Sequence, residues 1–157
     1  MTIITFRDGM LGADTMMSCG SKGHTVPGLK LFYAGRFAVG LCGDCRLMPI
    51  ITRWFDEDCP PNNETHGWAE KLWSDDFDAL VMDEDGRLFT ILADKLQFLP
   101  HDFFSIGSGA LSAFGALAMN ASATDAVLVA SIYDHNTNDI IESISLADLK
   151  AHIAETF

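Results

Sequence analysis

A chain of 157 residues, 48% of them apolar, has the size of one domain and enough apolar mass for a real core. Its formal net charge of −12, from 22 acids against 10 bases, lacks the basic footprint that nucleic acid requires and favours solubility. No apolar run approaches the roughly 20 residues of a membrane span, and no charged-then-apolar leader opens the chain, so neither membrane insertion nor secretion is expected.

Taken in order, the chain opens with an alternating strand over residues 2–7, followed by Asp8-Gly9, a strong hairpin signal. Met10 to Met16 returns as a second strand, whose Gly12 and Ala13 allow another backbone to come close. Ser18 to Gly28 reads as a polar, glycine-rich loop. Leu29 to Tyr33, a turn at Ala34-Gly35, and Phe37 to Leu41 form a second hairpin. The period then changes. Leu47, Ile50, Ile51 and Trp54 follow helical spacing, with Asp44 as N-cap, and Cys59-Pro60-Pro61 ends the helix. A short helix is expected over Trp68 to Trp73.

Asp78 to Met82 and Leu88 to Leu92 flank the turn Asp83-Glu-Asp-Gly86 as a third hairpin. Two short strands, Leu96 to Leu99 and Phe103 to Ile106, lead to the corner Gly107-Ser108-Gly109. Ala110 to Asn120 is a helix, and Thr124 to Tyr133 another, capped by Thr124. After a turn at Asn136 to Asn138, Asp139 to Leu146 alternates as a strand and Ala147 to Phe157 closes as a helix. There is no repeat or linker, so one domain over residues 1–157 is expected. Hairpins rather than βαβ units imply an α+β domain with antiparallel sheets and segregated helices.

Several constellations could carry chemistry. Cys42-Gly-Asp-Cys45 has the CxxC spacing of a redox dithiol or half a zinc site. Zinc needs two further ligands, and Cys19, Cys59 and five scattered histidines supply no second pair; packing cysteines, reduced in a cytosol, are the reading preferred. No metal and no cofactor is expected. Apolar Trp54, Phe55, Trp68 and Trp73 would suit either a core or an interface. Thr2 stands apart. An N-terminal hydroxyl can be activated by the chain's own α-amino group, whose pKa is about 8, with no histidine base. That requires removal of Met1.

The combination of Gly28-Leu-Lys30-Leu-Phe32, a hairpin, and Gly40-Leu-Cys-Gly43-Asp44 opening a helix resembles proteasome β subunits and HslV-type peptidases. Further pieces fit in the same order. They are Thr2-Ile-Ile-Thr-Phe as first strand, Gly12-Ala13-Asp14 ending the second, Ile106-Gly-Ser-Gly109, and the stretch from Tyr133-Asp134 through Thr137 before the last strand. The resemblance implies an N-terminal nucleophile hydrolase fold, a four-layer αββα sandwich.

It also implies roles. Thr2 would be the nucleophile with its own amine as base. Lys30 would lower the threonine's pKa, with Asp14 orienting the lysine. The Gly43 N–H would form the oxyanion hole. Ser108, Asp134 and Thr137 would bond the terminal amine and a water. The implied substrate is a peptide or unfolded polypeptide, and the implied assembly a cytoplasmic homo-oligomer, as a ring, with an unfoldase partner. A non-catalytic copy of the fold, acting in assembly or binding, is the alternative. Counted back from Asp8-Gly9, the first strand is about two residues shorter than in the family, which would displace Thr2 by roughly 6–7 Å at about 3.3 Å per residue.

Overall fold

The computed structural model describes residues 2–19, 22–57, 77–92 and 95–157. Eleven strands and four α-helices lie among them. The first hairpin joins β1 (Ile3–Arg7) to β2 (Met10–Asp14) through Asp8 and Gly9, both at positive φ as a tight two-residue turn demands. β2 pairs on its other side with β11 (Ile141–Ser145), and β1 pairs with β10 (Phe103–Gly107), giving an antiparallel sheet in the order β10-β1-β2-β11. The second sheet runs β5-β6-β7-β8-β9 through three hairpins and is antiparallel throughout. Its strands are β5 (Leu31–Ala34), β6 (Phe37–Gly43), β7 (Phe77–Met82), β8 (Leu88–Leu92) and β9 (Lys95–Phe98). The β5–β6 turn falls at Gly35-Arg36, one residue later than the sequence suggests.

The alternation of strand side chains explains the layering. On β1, Ile4 and Phe6 join Leu11 and Ala13 of β2 against Leu31, Ala38, Leu80 and Met82 of the second sheet. Ile3, on the opposite face, packs against Ala113 and Leu117 of α2 (Ala110–Ala118) and Ala126, Val127 and Ala130 of α3 (Ala123–Tyr133). The far face of the second sheet buries Val39, Leu41, Ala79 and Val81 against Ile51, Trp54 and Phe55 of α1 (Met48–Glu57). The result is helix, sheet, sheet, helix, the αββα architecture expected. Each fully buried side chain of the Leu, Ile or Phe class adds roughly 1.5–3 kcal/mol, so the three apolar clusters hold the layers together. Where the sheets approach most closely, Gly40 leaves room for Ile4: a β-carbon there would lie 2.5 Å from Ile4 Cγ2.

Four expectations change. Ser18 to Gly28 is not a loop: β3 (Met16–Cys19) and β4 (Lys22–Thr25) pair as a separate antiparallel hairpin. The segment is polar and glycine-rich, without the apolar alternation of the other strands, so its composition reads as a loop. The cap of α3 is Ser122, whose hydroxyl accepts from the Asp125 N–H, rather than Thr124. Trp54 and Phe55 belong to the core and cannot offer an interface. The last helix, α4 (Leu146–Thr156), starts one residue early and is held by a Ser145–Asp148 capping box. Asp44 does cap the short 3₁₀ turn Cys45–Leu47 that leads into α1, accepting from the Arg46 N–H. The expected helix over Trp68 to Trp73 and the Cys59-Pro60-Pro61 stop lie outside the described residues.

Candidate active site

β1 places Thr2 one step beyond Ile3, on the face shared with Ile4 and Phe6, so its side chain enters the space between the two sheets. The register across the hairpin, with Ile4 opposite Ala13, brings Asp14 to the same rim. Position relative to Asp14 is therefore set by pairing across β1 and β2.

Asp14 is fully buried and accepts three hydrogen bonds. Its Oδ1 takes the Ile3 N–H at 3.1 Å and the Lys30 ammonium at 2.8 Å, and its Oδ2 takes the Met16 N–H at 3.2 Å. One carboxylate thus fixes the start of β1, the turn into β3 and the lysine. Lys30 is equally inaccessible, at 4% exposure, and its carbonyl accepts from the Leu41 N–H. The backbone around it is clamped from β11. Glu142 accepts from the Gly28 N–H at 2.8 Å and the Leu31 N–H at 3.3 Å. Asn138 similarly pins the chain after Asp14, accepting from the Thr15 N–H and donating to the Thr25 hydroxyl.

Thr2, Lys30 and Gly43 line one pocket of about 80 Å³, together with Met16, Met17, Leu29, Leu41 and Cys45. Gly43 ends β6 at φ +125, a conformation that favours glycine. Thr2 is 4% exposed. Burial and the nearby Asp78 carboxylate push the Cys42 thiol above its ordinary range, against the opposing pull of Lys30. Cys42 and Cys45 are both free thiols, and among the described residues no group of three or more His, Cys, Asp or Glu side chains stands together as a metal site.

The Gly107 corner closes the other side. At φ +101 its missing side chain leaves space for Thr2, since a β-carbon would lie 1.9 Å from the Thr2 carbonyl oxygen. The Ser108 hydroxyl donates to the Asp134 carboxylate and also lies 3.5 Å from the Thr2 carbonyl oxygen. Burial opposes ionisation of Asp134, but hydrogen bonds from Ser108 and Asn136 outweigh it and hold the carboxyl below the usual range. Thr137 is buried with its hydroxyl donating 2.9 Å to the Asp134 carbonyl, so it fixes the turn that carries Asp134.

Of the seven residues singled out in the sequence, Thr2, Lys30 and Gly43 meet in the pocket, Asp14 anchors the lysine, and Ser108 with Asp134 reaches the Thr2 backbone. Thr137 acts one turn away. Sequence reasoning missed Glu142 and Asn138. Glu142 stands in an alternating strand where an acid reads as solvent-facing, and no spacing signal marks it.

No family model and no curated protein matches the chain. Solved structures do. Over 92% of this chain and 98% of that chain, it is similar to Thiobacillus denitrificans BPH in complex with epoxomicin, with a TM-score of 0.68 and 20% identity. Thiobacillus denitrificans BPH in a second structure gives the same TM-score and identity over 92% and 97% of the two chains. Eukaryotic HslV from Trypanosoma brucei gives 0.60 at 14% identity, covering 91% and 97%. At such identities the likeness is one of fold: the αββα sandwich is shared with these structures.

Proposed function

We propose that the chain is a proteasome-like threonine peptidase, or a related amide hydrolase, that uses Thr2 once Met1 has been removed. The observation that carries this reading is the meeting of Thr2, Lys30 and Gly43 in one pocket, with Lys30 held by a fully buried Asp14.

The Thr2 hydroxyl oxygen adds to the substrate carbonyl carbon while its proton passes to the freed α-amine, whose ordinary pKa of about 8 suits a base near neutrality. The Lys30 charge favours the developing alkoxide, and the Gly43 N–H faces the oxyanion. The amine returns the proton to the leaving nitrogen, the C–N bond breaks, and an ester remains on Thr2. Water, deprotonated by the same amine, hydrolyses the ester and restores the hydroxyl. Ser108 and Asp134 hold the Thr2 backbone during both steps. The proposal includes a peptide or unfolded polypeptide as substrate, a homo-oligomeric ring and an unfoldase partner, as the resemblance implies.

The test compares Thr2→Ala with processed wild type on fluorogenic peptides, with intact mass to follow loss of Met1. Loss of the nucleophile should lower kcat/KM by roughly a thousandfold or more. Epoxomicin, present in the BPH structure, serves as the probe of site occupancy. Equal turnover by wild type and Thr2→Ala would sink the mechanism. A second reading, a non-catalytic subunit, draws on the low exposure of Thr2. It predicts fully retained Met1 and no reaction with threonine-directed electrophiles.

A further inference from the structure

One wall of the Thr2 pocket is built on a ribbon that the body of the fold holds by its feet. Met16 and Met17 of β3 line the pocket with Leu29, Leu41 and Cys45. Among the described residues β3 and β4 pair only with each other. A two-stranded hairpin is marginal on its own, so its placement depends on what grips it. Thr25 of β4 stands directly opposite Met16 in the register. The Met16 side chain lies over β4, since a β-carbon on Gly23 would come within 2.3 Å of its Cε. Whatever holds Thr25 therefore holds Met16. Asn138 grips both feet. Its Oδ1 accepts from the Thr15 N–H at 3.1 Å, just before β3, and its Nδ2 donates to the Thr25 hydroxyl at 3.2 Å, at the end of β4. An amide offers an acceptor and a donor on one rigid plane, and the Thr15 N–H fixes which end is which. The bond from the Val26 N–H to the Thr15 carbonyl, 2.8 Å, joins the feet to each other and not to the body. Asn138 follows Thr137, in the turn whose Asp134 carboxylate accepts from Ser108.

We propose that Asn138 is a positioning residue that sets the width of the pocket, and with it the size of substrate side chain the pocket accepts. The inference rests on the hydrolase reading and names its substrate class: peptides with a small aliphatic residue on the acyl side of the broken bond. The pocket volume of about 80 Å³ is near half of the roughly 150 Å³ that takes up benzene, so a valine side chain fits and a phenyl ring does not. Met16, Met17, Leu29, Leu41 and Cys45 offer no charged partner to an acidic or basic side chain. With the clasp open, the ribbon moves outward and room for a ring appears, while Thr2 and Gly43 stay with the two main sheets.

The experiment measures kcat/KM for two fluorogenic peptides that differ only in carrying valine or phenylalanine at that residue. Wild type should prefer valine. The ratio of the two values should fall about threefold in Thr25→Val and up to about tenfold in Asn138→Ala, the span of one neutral hydrogen bond. The change should lie in KM, with kcat for the valyl peptide held. Thr25→Ser keeps the acceptor and should keep the wild-type ratio. The double variant should be no worse than Asn138→Ala, because both changes remove the same bond. A generally loosened fold would lower both peptides together and leave the ratio where it was. A wild type without the valine preference overturns the proposal, and so does a wild-type ratio in folded Thr25→Val and Asn138→Ala. Failure of the hydrolase reading is told apart by titrating the same peptides, as N-acetyl amides, into chains that also carry Thr2→Ala. There the ratio of dissociation constants should follow the same variants whether or not Thr2 is the nucleophile, and an unmoved ratio overturns the proposal as well.

Discussion

Lys30 and Asp14 form a buried ion pair, with Nζ 2.8 Å from Oδ1 and side-chain exposures of 4% and 0%. A buried pair is costly to break by one partner, because the remaining charge has neither water nor counter-charge. Lys30→Met should cost about 3 kcal/mol, the low end of the roughly 3–5 kcal/mol for such losses, since Asp14 keeps the Ile3 and Met16 N–H donors. Lys30→Met with Asp14→Asn should regain part of the loss. Urea titration of the two variants checks this, and a single-variant loss under about 0.5 kcal/mol, the scale of an exposed pair, contradicts it.

Gly107→Ala should be the most damaging conservative change near the site. The substitution imposes left-handed backbone strain of about 1–3 kcal/mol and drives a β-carbon into the Thr2 carbonyl. The melting temperature should fall, and any turnover should fall further than stability alone explains, because Thr2 must move. A Gly107→Ala chain with wild-type melting and turnover would show that Thr2 is not seated against this corner.

Glu142 should behave as a positioning residue. Glu142→Ala removes the acceptor for the Gly28 and Leu31 N–H groups and frees the segment carrying Lys30. Hydrogen exchange at Leu31 should accelerate by about tenfold, the equivalent of about 1.4 kcal/mol, within the range for a bond to a charged acceptor. Glu142→Gln keeps one acceptor oxygen and should recover most of the protection. If kinetics are available, kcat should drop more than KM changes.

Two pH effects follow from the site. Asp134 has a folded pKa below its unfolded value of 3.8, so its contribution is complete above about that pH and is lost as pH falls through the lower folded value. Asp134→Asn should flatten the acid limb of stability in that window. Cys42 has the opposite sense. Its folded pKa lies above the ordinary 9.0, so stability is lost as pH rises past that value, where only the unfolded thiol ionises readily. At neutral pH Cys42 should alkylate slowly with iodoacetamide, as mapped by peptide mass. Rapid labelling of Cys42 in the folded chain would contradict the raised pKa of this half-buried thiol.

Much of the architecture was legible in the sequence because it rests on local signals. Asp8-Gly9 and Asp83 to Gly86 announce their hairpins, and the alternation of Ile3, Ile4, Thr5 and Phe6 announces a strand covered on both faces. The site was legible as a set of residues without their geometry. Nothing in Lys30 reveals that Glu142, 112 residues later, holds its backbone. The β3–β4 ribbon was not legible either, because Ser18 to Thr25 lacks the apolar alternation on which strand reading depends. Ser122 and Thr124 offer the same hydroxyl two residues apart, so only the backbone decides which one caps α3.

The bond from the Ile3 N–H to Asp14 has one more consequence. It ties the head of β1 to the side chain that also holds Lys30, with Ile3 itself enclosed by α2 and α3. The Ile3 amide is therefore a reporter for the ion pair: a chain in which that amide exchanges quickly with solvent has also let go of its lysine.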